Sequence, residues 1–348
     1  MHRFGRMEAL RSLPAALLWL TAAAIVLYAA WPWLPWGRGK TVRTIVFYGF
    51  SILGEVMNEG VFPAFQAEWQ ARTGEHVEFV SSFAGSGTIT NQLIMGVPAD
   101  VALLSVEIDA LRLVTAGLLP GPTWRDLPNA GVVNRTPFVI LVRPGNPLGI
   151  RDYPDLTRPG IGIVHPDPLT SGGAQWAILG EYGSALRQTG SPDAAHDQLL
   201  GIWRNVVAQA ASARGARTQF ESGFGDVLIT YEQEIISDQA RGRLIGQIVY
   251  PRSTIFSEHT LVVIERNVDP QERDLIDAFV EFLWSPQAQR LFVEYGFRSI
   301  DPTNDGANPL FGTIADPFLV SDLGGWERVK VRIIDDIWRD RVLPEVNP

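Results

Sequence analysis

From residue 41 onward, short apolar runs alternate with segments whose apolar residues recur at helical spacing. The runs are rich in β-branched and aromatic residues, which is typical of buried strands. The predicted strands are 41–50, 76–83, 99–105, 137–142, 160–165, 226–231 and 259–265. Predicted helices follow the first two strands at 51–74 and 84–96, and acid-rich helices are expected near 265–290 and 326–340. This alternation predicts an α/β fold.

The beginning of the chain has a different pattern. No charged side chain occurs from Ser12 to Gly37, and Ala15 to Trp31 is apolar all round. About 17 helical residues span roughly 25 Å, and the flanks extend this toward the hydrocarbon thickness of a bilayer. Arginines precede the run and tryptophans follow it, as at the two faces of a membrane. We therefore predict an N-terminal transmembrane helix.

Residues 1–40 are assigned to a membrane anchor or signal segment. Bulky Trp and Pro residues follow the apolar run, whereas a signal peptidase requires small residues at its cleavage site. A retained anchor is therefore favoured over a cleaved signal, and both place the rest of the chain outside the cytoplasm. In either case we expect a protein at the cell surface or in the periplasm.

The length of the remaining chain predicts two lobes. The sequence has 348 residues, of which 46% are hydrophobic, and this is enough for two cores. Lobe I is predicted to comprise 41–137 and 233–348, and lobe II to comprise 138–232. The strand 226–231 and the segment after it would return the chain to lobe I. A cleft between lobes that close about a hinge is a common place for a small ligand.

The amino-acid composition excludes several classes of function for this chain. The absence of cysteine excludes disulfides, cysteine-bound metals and thiol nucleophiles. The formal net charge is −9, although the first 40 residues carry an excess of basic side chains, so nucleic-acid binding is not expected. The five histidines lack metal-site spacing, and no G-x-x-x-x-G-K phosphate loop occurs. We expect no cofactor and no bound metal.

Three predicted helices begin at turns rich in serine and glycine, at 50–52, 84–88 and 170–173. Each turn taken singly is explained by ordinary helix capping. Glycine, however, lets a ligand approach the free N–H groups of a helix start, where the helix dipole is positive. Together the three starts would form a neutral pocket rich in donors that suits a small oxyanion. The pattern leaves capping and anion binding both open.

Catalysis is not expected. Ser86 or Ser171 with His165 would supply a nucleophile and a base, but no G-x-S-x-G elbow is present. The sequence His165-Pro-Asp-Pro is typical of a rigid turn, so we expect His165 on a loop near the cleft. The chain is therefore interpreted as a binding protein and not as an enzyme.

Five ordered motifs carry a family resemblance over most of the chain after residue 43. They are AGSG (84–87), TSGGAQW (170–176), ASARGARTQF (211–220), GDVLITYEQE (225–234) and LGGWERV (323–329). In these motifs the sequence resembles the periplasmic sulfate-binding proteins of sulfate and thiosulfate ABC importers. The resemblance implies a two-lobed, type II periplasmic-binding-protein-like fold with a central cleft.

The resemblance also implies a set of hydrogen-bond donors to the anion. They are the hydroxyl groups of Ser86 and Ser171, the backbone N–H groups of Ile52, Gly172, Gly173 and Ala213, and the side chain of Tyr231. At the last position the family commonly has tryptophan. Indole only donates, whereas the Tyr231 phenol donates and accepts, which relaxes discrimination against protonated anions such as hydrogen phosphate.

Three arginines, Arg135, Arg214 and Arg217, are candidate anion clamps, since arginine suits bidentate oxyanion binding. In the resembling family the arginine that matches Arg214 is not a direct ligand. We therefore expect Arg214 to orient the loop behind the anion.

The resemblance implies a monomer that captures sulfate or thiosulfate and delivers it to an ABC permease and its ATPase. Tyr231 keeps molybdate and tungstate as alternatives, because relatives that bind them use a tyrosine hydroxyl in a broadly similar place. A membrane-tethered anion sensor is the alternative outside transport.

Overall fold

Strands and helices alternate along the chain as the pattern predicts. The computed structural model describes Thr21 and residues 42–346. The predicted N-terminal transmembrane helix lies, apart from Thr21, outside the described residues. Among the residues that are described, no helix combines the length and apolar character needed to cross a bilayer.

Ten strands form the sheet of residues 42–346. They are β1 (Arg43–Phe50), β2 (Val77–Ala84), β3 (Val101–Leu104), β4 (Val132–Val142), β5 (Ile163–Pro166), β6 (Val206–Ala210), β7 (Val227–Tyr231), β8 (Gln247–Val249), β9 (Ser253–Val263) and β10 (Asp316–Phe318).

The α-helices between the strands are mostly of nine residues or more. They are α1 (Phe62–Thr73), α2 (Ser86–Ile94), α3 (Glu107–Thr115), α4 (Gly172–Thr189), α5 (Pro192–Trp203), α6 (Ala213–Glu221), α7 (Glu232–Ala240), α8 (Arg273–Phe282), α9 (Pro286–Glu294), α10 (Trp326–Val329) and α11 (Leu343–Val346). Short 3-10 helices lie at Ser51–Leu53, Thr123–Asp126, Pro128–Gly131, Tyr153–Thr157, Pro302–Ala307 and Val320–Leu323, and π-helical turns at Val56–Val61 and Lys330–Val342.

The strand order is β2-β1-β3-β9-β4-β7-β5-β6, with β10 beside β9 and β8 beside β4. β1 is parallel to both β2 and β3, and β5 is parallel to both β6 and β7. The two parallel groups are joined by β9 and β4, which are antiparallel to each other, to β3 and to β7, whereas the short β10 is parallel to β9. The sheet therefore has two parallel halves connected by a pair of long strands.

β4 changes its partner in the middle. Its first part, up to Pro137, pairs with β9, and its second part, from Phe138, pairs with β7 and β8. Proline has no N–H group for a strand ladder, so it suits the point where one set of strand bonds ends. The two halves of the sheet therefore meet within β4.

The buried strands explain the apolar runs of the sequence. Every residue of β3 and of β7 is buried, since helices cover both faces of the parallel parts of the sheet. The aromatic rings of Phe47, Phe62 and Phe279 pack edge to face or tilted, with centroids 5.4 to 6.1 Å apart. This packing holds α1 and α8 against β1.

All seven predicted strands are present, although their bounds shift by a few residues. The predicted helix 51–74 consists of a 3-10 turn, a π-helical turn and α1, and the C-terminal helix is largely π-helical. β6, β8 and β10 were not predicted. Apolar and polar residues alternate only weakly in β6, because this edge strand is only partly buried. β8 and β10 have three residues each, which is too short for a recognisable pattern.

Two segments that the sequence assigns to lobe I lie against elements that it assigns to lobe II. β8 pairs with residues 140–142 of β4. The π-helical segment Lys330–Val342 packs against α4 and α5.

Candidate functional site

Five segments of the candidate site follow the carboxyl ends of strands. The 3-10 turn at Ser51 follows β1, and α2 follows β2 after one glycine. In the other half, α4, α6 and α7 follow β5, β6 and β7. Ligand sites in open α/β sheets lie outside the carboxyl ends of strands, so this placement favours a common site.

Contacts at glycines bring the helix starts of the two halves together. A Cβ atom on Gly85 would lie 2.4 Å from the carbonyl oxygen of Thr170 and 2.5 Å from that of Ala211. The N–H group of Thr88 donates to the same Thr170 oxygen at 3.3 Å. Only glycine permits this approach, so the start of α2 lies directly against the turns that precede α4 and α6.

The predicted donors lie close to one another. A Cβ on Gly172 would be 3.2 Å from the Cβ of Ser86, and one on Gly173 would be 3.0 Å from the Tyr231 hydroxyl oxygen. The 3-10 turn that contains Ile52 packs against α6, which begins at Ala213. Ser171 immediately precedes Gly172 as the N-cap of α4. The structure thus gathers all seven predicted positions around one place.

Several of these helix starts lack a side-chain cap. The side chain of Ser171 accepts no hydrogen bond from its helix, and Gly85 and Phe50 offer no side-chain acceptor at their helix starts. The first N–H groups of a helix have no acceptor within it, so Ser86, Gly172 and Gly173 can offer theirs to a ligand. Plain capping is therefore an insufficient explanation for Ser171.

The Ser86 hydroxyl is already engaged. It donates to Asp109 Oδ2 at 2.7 Å and accepts the N–H of Ser105 at 3.1 Å, while Arg112 pairs with the other oxygen of Asp109 at 2.9 Å. Burial raises the pKa of Asp109, and the bonds from Ser86 and Arg112 oppose that rise. Because the Ser86 hydroxyl proton lies in the bond to Asp109, Ser86 would offer an anion its backbone N–H and not the hydroxyl proton expected from sequence.

Tyr231 ends β7 with its ring inside the core. Its hydroxyl lies 2.7 Å from the hydroxyl oxygen of Ser105, and its ring packs 4.5 Å from that of Phe138. Burial raises the pKa of Tyr231, so the phenol keeps its proton. Ser86, Ser171, Ala213 and Tyr231 are each at most 3% exposed, so an anion among them would be removed from water.

Two of the three candidate arginines are paired with carboxylates. Arg214 Nε lies 2.7 Å from Glu234 Oε1, and Arg217 Nη1 lies 2.9 Å from Asp238 Oδ2. Arg135 donates to the carbonyl oxygen of Ser299 at 3.0 Å. Arg214 follows Ala213 in the first turn of α6, so its ion pair holds this helix start in place.

His165 does not lie on a loop. It belongs to β5 and is fully buried, because apolar and aromatic groups including Trp203 enclose it. Its ring nitrogens are 2.6 Å from the Pro166 carbonyl oxygen and 3.2 Å from Glu181 Oε1. Neither ring nitrogen is directed at Ser86 or Ser171. The turn predicted from the Pro-Asp-Pro sequence begins only after β5 ends at Pro166.

Ser105 and Asp109 were missed by the sequence reasoning. Ser105 directly follows β3, and Asp109 lies in the first turn of α3. The position of Ser105 after a buried strand was the available signal, since the carboxyl ends of neighbouring parallel strands share one edge of a sheet.

Comparisons with known proteins agree with this architecture. The family described as bacterial extracellular solute-binding protein matches residues 57–298. A sulfate-binding protein from Synechococcus elongatus is 36% identical over 88% of each chain. A thiosulfate-binding protein from Pseudomonas aeruginosa is 32% identical over 76% of this chain and 81% of its own.

A solved structure has the same fold. The sulfate-binding protein SubI from Mycobacterium tuberculosis superimposes with a TM-score of 0.77 at 33% identity, over 84% of this chain and 100% of its own. The resemblance inferred from the five motifs is confirmed, as is the periplasmic-binding-protein-like α/β fold. The chain therefore belongs to the family of bacterial extracellular solute-binding proteins.

Proposed function

We propose that this chain binds a tetrahedral divalent oxyanion, sulfate or thiosulfate, outside the cytoplasm and delivers it to an ABC permease and its ATPase. The observation that carries the proposal is the convergence of uncapped helix starts from both halves of the sheet on one buried place. The names and similarity of the relatives support the same ligand class.

The chemistry of the donors explains how an acidic chain would hold an anion. Backbone N–H groups at the positive ends of helices replace the lost water without bringing a cation into the site. A hydrogen bond to a charged group contributes about 1.5–3 kcal/mol. Several such bonds from Ile52, Ser86, Gly172, Gly173 and Ala213 are sufficient for firm binding, with Ser171 and Tyr231 adding hydroxyl donors.

Two lobes that close on the anion are part of the proposal. Residues 41–137 with most of 233–348 form lobe I, and residues 138–232 with β8 form lobe II. The π-helical segment Lys330–Val342 packs against α4 and α5 of lobe II. The change of partner within β4 at Pro137 supports a hinge there, because strand bonds to the two lobes end at that point. A monomer contains both lobes, so no second copy is needed.

The N-terminal segment has a separate role in this proposal. A transmembrane helix within residues 1–40 tethers the binding protein near its permease, which raises its effective concentration there. Sequencing the N-terminus of the mature protein distinguishes this retained anchor from a cleaved signal.

Molybdate or tungstate is the second candidate. The observation that favours it is the Tyr231 hydroxyl beside Gly173, where the sequence lacks the indole of the resembling family. Measured affinities for sulfate, thiosulfate, molybdate and tungstate are enough to decide between the two candidate ligands.

Isothermal titration of the full chain in mild detergent tests the function. We expect one site that binds sulfate or thiosulfate more tightly than molybdate, tungstate or phosphate. Tighter binding of molybdate or tungstate would replace the first candidate with the second. No binding of any of the five anions would contradict the proposed function.

A pair of matched serine variants checks the site. Ser171→Ala removes a hydroxyl from an N-cap that makes no bond to its own helix, and we expect about tenfold weaker binding. Ser191→Ala removes an N-cap that bonds to Ala194 at 3.2 Å, so it should lower thermal stability and leave affinity unchanged. Equal affinities for the two variants would remove Ser171 from the site.

A further inference from the structure

Ser105 connects the predicted anion donors of both halves. Its N–H donates to Ser86 Oγ at 3.1 Å, and its carbonyl oxygen accepts the indole N–H of Trp176 at 2.7 Å. Its hydroxyl lies 2.7 Å from that of Tyr231, and Ser105 itself is 1% exposed. A Cβ on Gly172 would lie 2.7 Å from the same hydroxyl oxygen. Ser105 therefore lies among the donors and not behind them.

The bond between Ser105 and Tyr231 can run in either direction. Two hydroxyl groups carry two protons, and one of these protons occupies the bond between the oxygens. When Ser105 donates, the Tyr231 proton is free to point toward an anion. When Tyr231 donates, a lone pair of its oxygen is free instead, and the Ser105 proton turns toward an anion oxygen near Gly172.

Ser105 is what makes the second arrangement possible. A buried hydroxyl group accepts a hydrogen bond from a ligand only if its own O–H donates to another acceptor, because a buried donor without an acceptor is costly in free energy. Ser105 Oγ is that acceptor for Tyr231. Burial raises the pKa of Tyr231, so the pair retains both protons at neutral pH.

We propose that Ser105 is a specificity-determining residue that lets Tyr231 switch from donor to acceptor, so that the site binds singly protonated oxyanions such as hydrogen phosphate in addition to sulfate. The proposal rests on the proposed function. Sulfate and hydrogen phosphate have nearly the same size and shape, so the proton decides between them. When the Tyr231 oxygen is an acceptor, it receives a hydrogen bond from the P–O–H group of hydrogen phosphate, which would otherwise face only donors.

The test compares the affinities for sulfate and hydrogen phosphate in the full chain, by titration at mildly alkaline pH. The unaltered protein should bind both anions. Ser105→Ala leaves Tyr231 only the anion as acceptor, so hydrogen phosphate should lose about tenfold or more in affinity relative to sulfate. Ser299→Ala removes a buried serine hydroxyl that bonds to Gln289 at 2.9 Å, and it should leave the ratio unchanged.

The outcomes separate the two proposals. If the unaltered chain binds sulfate but not hydrogen phosphate, the inference about Ser105 is wrong and the proposed function stands; this comparison requires no variant. If Ser105→Ala weakens both anions by the same factor, Ser105 has only a structural role. If the chain binds neither sulfate nor any other oxyanion, the proposed function fails and the inference about Ser105 fails with it.

Discussion

Backbone amides and neutral hydroxyls line the candidate site, and the charged side chains near it are directed at one another. Asp109 pairs with Arg112 while it accepts a hydrogen bond from Ser86, and Glu234 pairs with Arg214. Such pairing keeps cations away from the anion and leaves recognition to groups of fixed geometry. Selectivity then depends on whether each group donates or accepts, since a donor-only site rejects a ligand that carries its own proton.

At the residue scale, Gly85→Ala should prevent the halves from closing. The added methyl would meet two backbone carbonyl oxygens, at 2.4 and 2.5 Å, which cannot rotate away as side chains do. We expect sulfate affinity to fall by about a hundredfold, which corresponds to about 2.7 kcal/mol. Titration calorimetry measures this directly.

Gly306→Ala is the matched control for that variant. A Cβ at this position meets no atom within 4 Å, so affinity should be unchanged. Unaltered binding by Gly85→Ala would show that the contact with Thr170 and Ala211 is not needed for binding.

Sequence identifies the residues of a turn better than the partners they meet in space. The serines and glycines of the predicted site are contiguous in short motifs, and the structure brings them together. Ser105 and Asp109 lie 19 and 23 residues from Ser86, and Ser105 lies 126 residues from Tyr231. No local pattern encodes such separations, so the partners in these hydrogen bonds emerged only from the fold.

At the scale of elements, a cluster of ion pairs links the segment after β1 to α6 and α7. Glu55 accepts a hydrogen bond from Ser237 at 2.9 Å and pairs with Arg241, and Glu59 pairs with Arg241 at 3.1 Å. Burial opposes ionisation of Glu55, but Ser237, Arg214 and Arg241 outweigh it and lower its pKa. Arg214 of α6, in the proposed lobe II, also has its Nη1 4.0 Å from Glu55 Oε1, so through this pair the cluster favours the arrangement in which the two lobes touch.

Glu55→Gln should loosen that arrangement. The amide keeps the size of the side chain but loses the charge that faces Arg214 of the other lobe, so the anion should dissociate several times faster, as expected for about 1 kcal/mol. Stopped-flow release of bound sulfate measures the rate. Glu265→Gln breaks an ion pair with Arg273 away from this cluster and should leave the rate unchanged.

A release rate for Glu55→Gln equal to that of Glu265→Gln would show that the cluster has no part in closure.

The boundaries of elements are as hard to predict from sequence as the hydrogen-bond partners are. The apolar spacing of 51–74 predicts one helix, yet that segment begins with 3-10 and π-helical turns, which the spacing does not distinguish from α-helix.

At the scale of the molecule, alternation of strands and helices was enough to predict the class of fold. The order of strands was not, because the crossing of β4 and β9 pairs segments that are more than 100 residues apart. The five ordered motifs supplied the family, and four of them mark a helix start or a strand end at the same edge of the sheet. The acidic net charge of −9 is compatible with anion binding because the donors are dipoles and carry no net charge.

A crystal structure of the chain with sulfate would show directly which groups bind the anion. We expect sulfate oxygens within about 3 Å of the backbone nitrogens of Ser86, Gly172, Gly173 and Ala213, with no arginine or lysine in contact. Sulfate held elsewhere, or held by Arg214 or another cation in place of these N–H groups, would contradict this expectation.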